Sequence, residues 1–284
     1  MLQKLIQTLT PLHGVAEARA IVYALLEDVF GLSKTDVLLG RFEGLSATEK
    51  ARFKECAARL SQGEPLQYVV GTAPFGNLTF EVTPATLIPR PETELLCRTA
   101  LEHIRERGVQ SPKILDLCTG SGCIGLAIAS RVKDAKVTLA DLSREALAVA
   151  RKNVALHHMS GRVSCVQVDA MAEPPAFLGQ FDMIVSNPPY IDRKDMEGLE
   201  VSVKDFEPHM ALFGGNDGLD FYRAITANYR HNLKPGGYLC YEFGEDQGDD
   251  VCDILAANGF TVRQRVKDFC GTERAVIAQY CVEE

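Results

Sequence analysis

The chain has 284 residues, enough for one large domain or two. Hydrophobic residues make up 46% and charged residues 24%, a balance that builds a packed core and excludes a disordered chain. The formal charge is −8, from 30 Lys and Arg against 38 Asp and Glu. A protein held by many phosphates needs the opposite surface, so direct nucleic acid binding is not expected.

Nine cysteines, an odd number without a Cys-x-x-Cys pair, read neither as zinc ligands nor as a disulfide framework. The N-terminal segment lacks the apolar core and cleavage site of a secretion signal. No uncharged apolar run reaches the ~18 residues of a membrane span. A reduced, cytoplasmic chain that does not enter a membrane is expected.

Residues 1–65 read as a small helical domain. The stretch 15–30 is rich in Ala, Leu and Glu and ends at Gly31. Ser46 and Glu49 have capping-box spacing. Phe53, Cys56, Ala57 and Leu60 then follow at i, i+3, i+4 and i+7, and Gly63 stops the helix. So small a domain holds a thin core. Residues 66–90 switch to β-branched and aromatic content, with strands at 68–71 and 78–82 around the turn residues 73–77, and are predicted to be a linking β-hairpin.

Residues 91–284 form the third segment. Pro91 opens a helix that runs to Arg107. Strands are predicted at 113–117, 136–140, 163–168, 181–186, 238–243, 261–266 and 274–280. Helices fall at 122–131, 144–156, 219–232 and 249–258, and Lys234-Pro235-Gly236-Gly237 stops the third of these. Strands alternating with helices give an α/β fold with a mostly parallel sheet, whose ligands bind beyond the carboxyl ends of the strands.

The loop after the first of these strands runs Asp116-Leu-Cys118-Thr119-Gly120-Ser121-Gly122 and continues to Gly125, a G-x-G-x-x-G between strand and helix. Asp141 ends the next strand, where it can hold a ribose diol. The loop alone fits a dinucleotide or S-adenosylmethionine. Asp116 favours the second, because a carboxylate beside a pyrophosphate costs ~1–4 kcal/mol near a surface. It suits instead a cofactor ammonium or the donors around it. Asp169, after the third strand, can accept from an adenine amino group or cap a turn, and Ala170 offers only a small apolar surface.

The fourth strand runs straight into Asn187-Pro188-Pro189-Tyr190. The two prolines fix the backbone and donate no hydrogen bond, and each holds the residue before it extended. The Asn187 carboxamide oxygen and the Pro188 carbonyl are then two acceptors beyond the sheet edge, followed by an aromatic ring. Such a pair can bind both hydrogens of a planar amino group and turn its lone pair toward an electrophile, with Tyr190 packed on the flat group.

Residues 116–122 together with Asn187 to Tyr190 resemble the amino-methyltransferases, which include DNA adenine-N6 and protein glutamine-N5 enzymes. The stretches Gly63-Glu-Pro-Leu-Gln-Tyr-Val-Val-Gly71, Ala85-Thr-Leu-Ile-Pro-Arg-Pro-Glu-Thr-Glu94 and Phe206-Glu-Pro208 closely resemble the release factor glutamine methyltransferase family, over nearly the whole chain. The resemblance implies a Rossmann-like class I methyltransferase sheet of seven strands, the last antiparallel, behind the N-terminal helical domain. It implies S-adenosyl-L-methionine as methyl donor, S-adenosyl-L-homocysteine as product, and the glutamine of the Gly-Gly-Gln motif of class I peptide chain release factors as substrate.

By position, Cys118, Thr119, Gly120, Ser121 and Gly122 are implied to bind the methionine part, Asp141 the ribose, and Asp169 and Ala170 the adenine. Asn187, Pro188, Pro189 and Tyr190 are implied to hold the substrate amide, with Asn187, Pro188 and Tyr190 catalytic and Asn187 also against the cofactor. The family often has Gly at Cys118 and an aromatic residue at Ala170. No metal is required. Arg90 and Glu92 are read as an ion pair ordering the hairpin over the site. The chain is expected to act as a monomer, with residues 1–65 contacting the release factor. The alternative, a DNA adenine-N6 methyltransferase, needs a target-recognition region that the segments above leave no room for.

Overall fold

The computed structural model describes residues 1–281 and divides into two units. One joins Met1–Thr72 to Glu200–Phe206, the other Ala73–Leu199 to Glu207–Glu284. Residues 282–284, the end of the third predicted segment, lie outside the described residues.

The first unit is helical: α1 (Leu2–Phe30), α2 (Lys34–Leu38), α3 (Ala47–Ser61) and α4 (Leu66–Val70). α1 is two helical stretches joined at Gly14, whose φ of 77° and ψ of 163° break the spiral, so a helical stretch precedes the one predicted from residue 15. The Ser46–Glu49 capping box forms in both directions. Leu9, Leu25, Leu26 and Phe53 are fully buried, and Phe42 meets Phe53 edge to face at 5.1 Å. The predicted strand at 68–71 is instead the single helical turn α4. Pro65 precedes it, and Gly71 ends it at φ 88°. Arg59, paired with Glu64 at 2.6 Å, donates to the Tyr68 and Val69 carbonyls. Local β propensity yields to a tertiary partner for the end carbonyls of the turn.

A hairpin follows, β1 (Thr72–Phe75) and β2 (Leu78–Glu81), all but its first residue in the second unit, then α5 (Thr93–Arg107). Next come β3 (Lys113–Leu117), α6 (Cys123–Arg131), β4 (Lys136–Asp141), α7 (Arg144–Leu156), β5 (Val163–Gln167) and β6 (Phe181–Ser186). Two short helices, α8 (Asp195–Gly198) and α9 (Val201–Lys204, within the first unit), precede α10 (Asp220–Tyr229), β7 (Leu233–Glu242), α11 (Gly248–Ala257), β8 (Phe260–Lys267) and β9 (Glu273–Tyr280). β7 starts earlier than predicted. Pro235 and the two glycines after it sit in a break of the ladder, which passes from the pair Phe181–Leu233 to the pair Met183–Tyr238.

The seven-stranded sheet has the order β5-β4-β3-β6-β7-β9-β8, and β9 runs opposite to the other six strands. Alternate residues feed two cores, as the two-residue period of a strand requires. Ile114, Val137, Met183, Val185, Cys240 and Ile277 pack under α5, α6 and α7. Leu115, Ile184, Leu239, Tyr241 and Val276 pack under α10 and α11. With both faces covered, the open ground is the edge where β3 to β7 all end.

Candidate active site

That edge carries a cleft whose lining includes Cys118, Gly120, Asp141, Asp169, Ala170, Asn187 and Pro189. Two further stretches complete it, residues 85–87 and the trio Pro208, Met210 and Ala211, together with Leu142, Met171 and Phe221. Thr119, Ser121, Gly122, Pro188 and Tyr190 do not line it. Thr119, Ser121 and Gly122 belong to the loop that frames the cleft, and Pro188 and Tyr190 continue the chain past Asn187.

The frame begins with Asp116, fully buried at the end of β3. Its Oδ2 accepts from the Thr119 hydroxyl at 2.6 Å and the Gly125 N–H at 2.8 Å. Burial pushes its carboxyl up to about 7 despite these bonds. Asp116 therefore ties the glycine loop to the first turn of α6, rather than lining the cleft. Gly125 is required there: a Cβ would stand 2.3 Å from Leu139 and 3.0 Å from the Asp116 carboxylate. Cys118 sits at φ 60°, the left-handed region that favours glycine, so the loop keeps a conformation that a side chain strains by ~1–2 kcal/mol. Burial raises its thiol far above the ordinary range.

Asp141 turns both oxygens to backbone, Oδ2 to the Gly120 N–H at 2.8 Å and Oδ1 to the Ser143 N–H at 2.9 Å. Burial pushes its carboxyl up. Of the two readings for Asp169 the turn cap is present, its Oδ1 accepting from the Met171 N–H at 2.8 Å, and the residue also lines the cleft. Asn153, fully buried on α7, accepts from the Glu81 N–H and donates to the carbonyls of Glu81 and Ser121. It fastens β2 and the glycine loop to one helix.

Asn187 leaves β6 with its Nδ2 donating to Glu242 Oε1 at 2.8 Å and to Thr93 Oγ1 at 3.4 Å. Its Oδ1 is buried with no partner among the described residues. The chain just beyond it is held from outside. Gln247 donates to the Tyr190 carbonyl at 2.9 Å, and Gly214 passes so close that a Cβ would stand 2.6 Å from the Pro189 carbonyl. The half-buried Tyr190 ring packs on the α10 and α11 core. Burial, with the Glu242 charge adding, pushes its hydroxyl up to about 12.

Arg90 pairs with Glu207, not with Glu92. Glu92 is exposed, whereas the Glu207 side chain is 1% exposed and also accepts from the Ile88 N–H at 3.3 Å. A buried carboxylate needs compensation that an exposed one obtains from water. This pair joins the two outer stretches of the lining. Sequence reading missed Glu207, Thr93, Asn153, Gln247 and Glu242 as site residues. The first two stand inside the stretches 206–208 and 85–94, and Glu242 is a lone acid closing an apolar strand.

The lining holds two carboxylates, Asp141 and Asp169, and no Lys, Arg or His among the described residues. Such a donor set fits a nucleoside carrying positive charge and repels a polyphosphate. With the strand order, the glycine loop and the acid ending β4, it defines a class I S-adenosylmethionine-dependent methyltransferase. A methyltransferase small domain model matches residues 93–203 and a PrmC N-terminal domain model matches residues 1–71. The release factor glutamine methyltransferase of Geobacter sulfurreducens is 38% identical over 265 residues, 93% of this chain and 90% of that one. The Clostridium acetobutylicum protein of the same name is 42% identical over 214 residues, 75% and 74% of the two chains. The hMettl16 catalytic domain, solved with the MAT2A 3'UTR hairpin 6, has a TM-score of 0.57 at 16% identity over 84% of each chain, a likeness of fold alone. The chain belongs to the release factor glutamine methyltransferase family.

Proposed function

We propose that the cleft binds S-adenosylmethionine and that Asn187 presents to it the side-chain amide of the Gly-Gly-Gln glutamine of a class I release factor. The observation that carries this reading is the buried, partnerless Oδ1 of Asn187 at the end of β6. Asp141 takes the ribose, its oxygens retaining lone pairs beyond the two backbone bonds. Asp169, Ala170 and the apolar Leu142, Met171 and Phe221 take the adenine, Phe221 supplying the aromatic ring that position 170 lacks. Cys118 and Gly120 meet the methionine part, on the frame of Thr119, Ser121 and Gly122.

S-Adenosylmethionine, when bound, supplies a methyl group whose bond to sulfur breaks as the carbon–nitrogen bond forms, the electron pair staying on sulfur. Asn187 Oδ1 and the Pro188 carbonyl accept the two N–H groups of the glutamine amide. Held so, the amide turns its lone pair to the methyl, and the nitrogen sheds one proton to solvent. Tyr190 and Pro189 shape the wall against which the flat amide rests. Catalysis is then chiefly positioning. Residues 1–65 contact the release factor outside the Gly-Gly-Gln loop, residues 66–90 link them to the catalytic segment, and the enzyme acts as a cytoplasmic monomer.

The test offers release factor and duplex DNA in parallel with methyl-labelled S-adenosylmethionine, and locates the label by mass spectrometry. Label on the Gly-Gly-Gln glutamine is expected. Label on adenine overturns the substrate and keeps the chemistry of Asn187.

Arg90→Ala strips Glu207 of its cation and is expected to destabilise the fold by about 1–3 kcal/mol, the cost of a buried group left short of partners. S-Adenosylmethionine affinity should weaken with it, because residues 85–87 and 208–211 lose their tie. Calorimetric titration and thermal unfolding of the variant check both, and wild-type values in the two would remove the pair from that role.

A further inference from the structure

Glu242 has no part in the roles above, and its position supplies one. β6 and β7 run parallel with Ser186 opposite Tyr241, so the next residue of each, Asn187 and Glu242, stand side by side where the strands end. Glu242 is 4% exposed, and Tyr222 donates to its backbone carbonyl at 2.8 Å. With Oε1 taking the Nδ2–H of Asn187 at 2.8 Å, only one flip of the Asn187 amide gives the carboxylate a donor, and Oε2 stays buried with no partner among the described residues. That flip leaves Oδ1 as the free acceptor.

We propose that Glu242 is the positioning residue of the methyl transfer: its carboxylate locks the Asn187 amide with Oδ1 toward the substrate, and its charge, relayed through that amide, strengthens Oδ1 as an acceptor. This rests on the reading of Asn187 given above. Hydrogen bonds in series polarise one another, and more so at low dielectric. An ionised carboxylate is acceptor-only, whereas a protonated one both donates and accepts and so tolerates either flip of its neighbour.

Burial pushes the Glu242 carboxyl up to about 7, which places its ionisation in the working range of an enzyme. At the start of α5 it faces Glu92, which opposes its charge, and Thr93, whose hydroxyl favours it; on β9 it faces Arg274, which also favours the charge. The thiols of Cys97 on α5 and Cys123 on α6 also face it, as do the phenols of Tyr190 and of Tyr222 on α10. Burial raises all four, so none of them ionises near neutral pH.

The test compares the full-length enzyme with Glu242→Gln from pH 6 to 8.5, using saturating release factor and S-adenosylmethionine. Wild-type kcat is expected to rise about fivefold between pH 6 and 8, as a carboxyl titrating near 7 ionises and its neutral form retains about one tenth of the plateau rate. Glu242→Gln should run flat across the range, about tenfold below the wild-type plateau, since the charged bond is roughly twice as strong as its neutral counterpart. A second readout needs no turnover: the side-chain amide resonances of Asn187, identified by their loss in Asn187→Ala, shift with a midpoint near neutral pH in wild type. That measurement stays decisive if Glu242→Gln folds poorly. A wild-type Asn187 signal fixed across the range overturns the proposal, and so does a variant whose kcat titrates as wild type. Wild type transferring no methyl to release factor at any pH defeats the substrate reading instead, and the Asn187 signal still decides the role of Glu242.

Discussion

Asn187→Ala is expected to slow methyl transfer to release factor by about 10²–10³-fold, the range found when one preorganised polar contact to a reacting group is lost. The side chain is held by Glu242 and Thr93 at one end and has an unspent acceptor at the other, so it is already ordered before substrate arrives. Alanine removes that acceptor and frees the substrate amide to rotate, which returns its lone pair to conjugation with its own carbonyl. S-Adenosylmethionine binding should change only a few-fold, because Asp141, Asp169 and the apolar lining remain. Single-turnover kinetics beside calorimetric titration separate the two quantities. Turnover within threefold of wild type would take Asn187 out of the reaction.

The second large effect is on stability. Asn153→Leu nearly conserves volume but abandons the Glu81 N–H and the carbonyls of Glu81 and Ser121. Each buried backbone group left unpaired costs about 1–3 kcal/mol, and Glu81 is partly open to water, so a total of roughly 3 kcal/mol is expected. Thermal unfolding registers this as a fall of roughly 2–4 °C per kcal/mol for a unit of about 200 residues. The glycine loop loses its anchor at Ser121, and S-adenosylmethionine affinity should fall with the melting temperature. A variant that melts with the wild type would show that β2 and the loop are fastened elsewhere.

The glycine loop, Asp141 and the Asn-Pro-Pro-Tyr run were legible because each follows a strand within a few residues, and local periodicity locates strand ends. Most of the sheet was legible for the same reason. Contacts between distant stretches were not. Glu242 reaches Asn187 only because β7 pairs beside β6 in register, a fact carried by the strand order and not by either stretch. Glu207 meets Arg90 across 117 positions, while the nearer Glu92 has the right charge and too little need of it. The turn at 66–70 was misread because Val69 and Val70 carry β propensity, and the guanidinium that favours the turn comes from Arg59 on a neighbouring helix. Cys118 and Gly125 show the reverse case, where backbone geometry explains residues that the motif pattern merely records.

The place of β9 has a consequence for how the protein is made. Its residues Ala275 to Ala278 are at most 1% exposed, and the strand lies inside the sheet between β7 and β8 although it follows both of them in chain order. While the chain is still emerging from the ribosome, β7 presents an unpaired apolar edge and β8 has nowhere to dock. Exposed strand edges of that kind are the templates on which nascent chains aggregate. The sheet closes only when β9, which follows every strand it joins, has arrived, so until then the two cores stay open along one side.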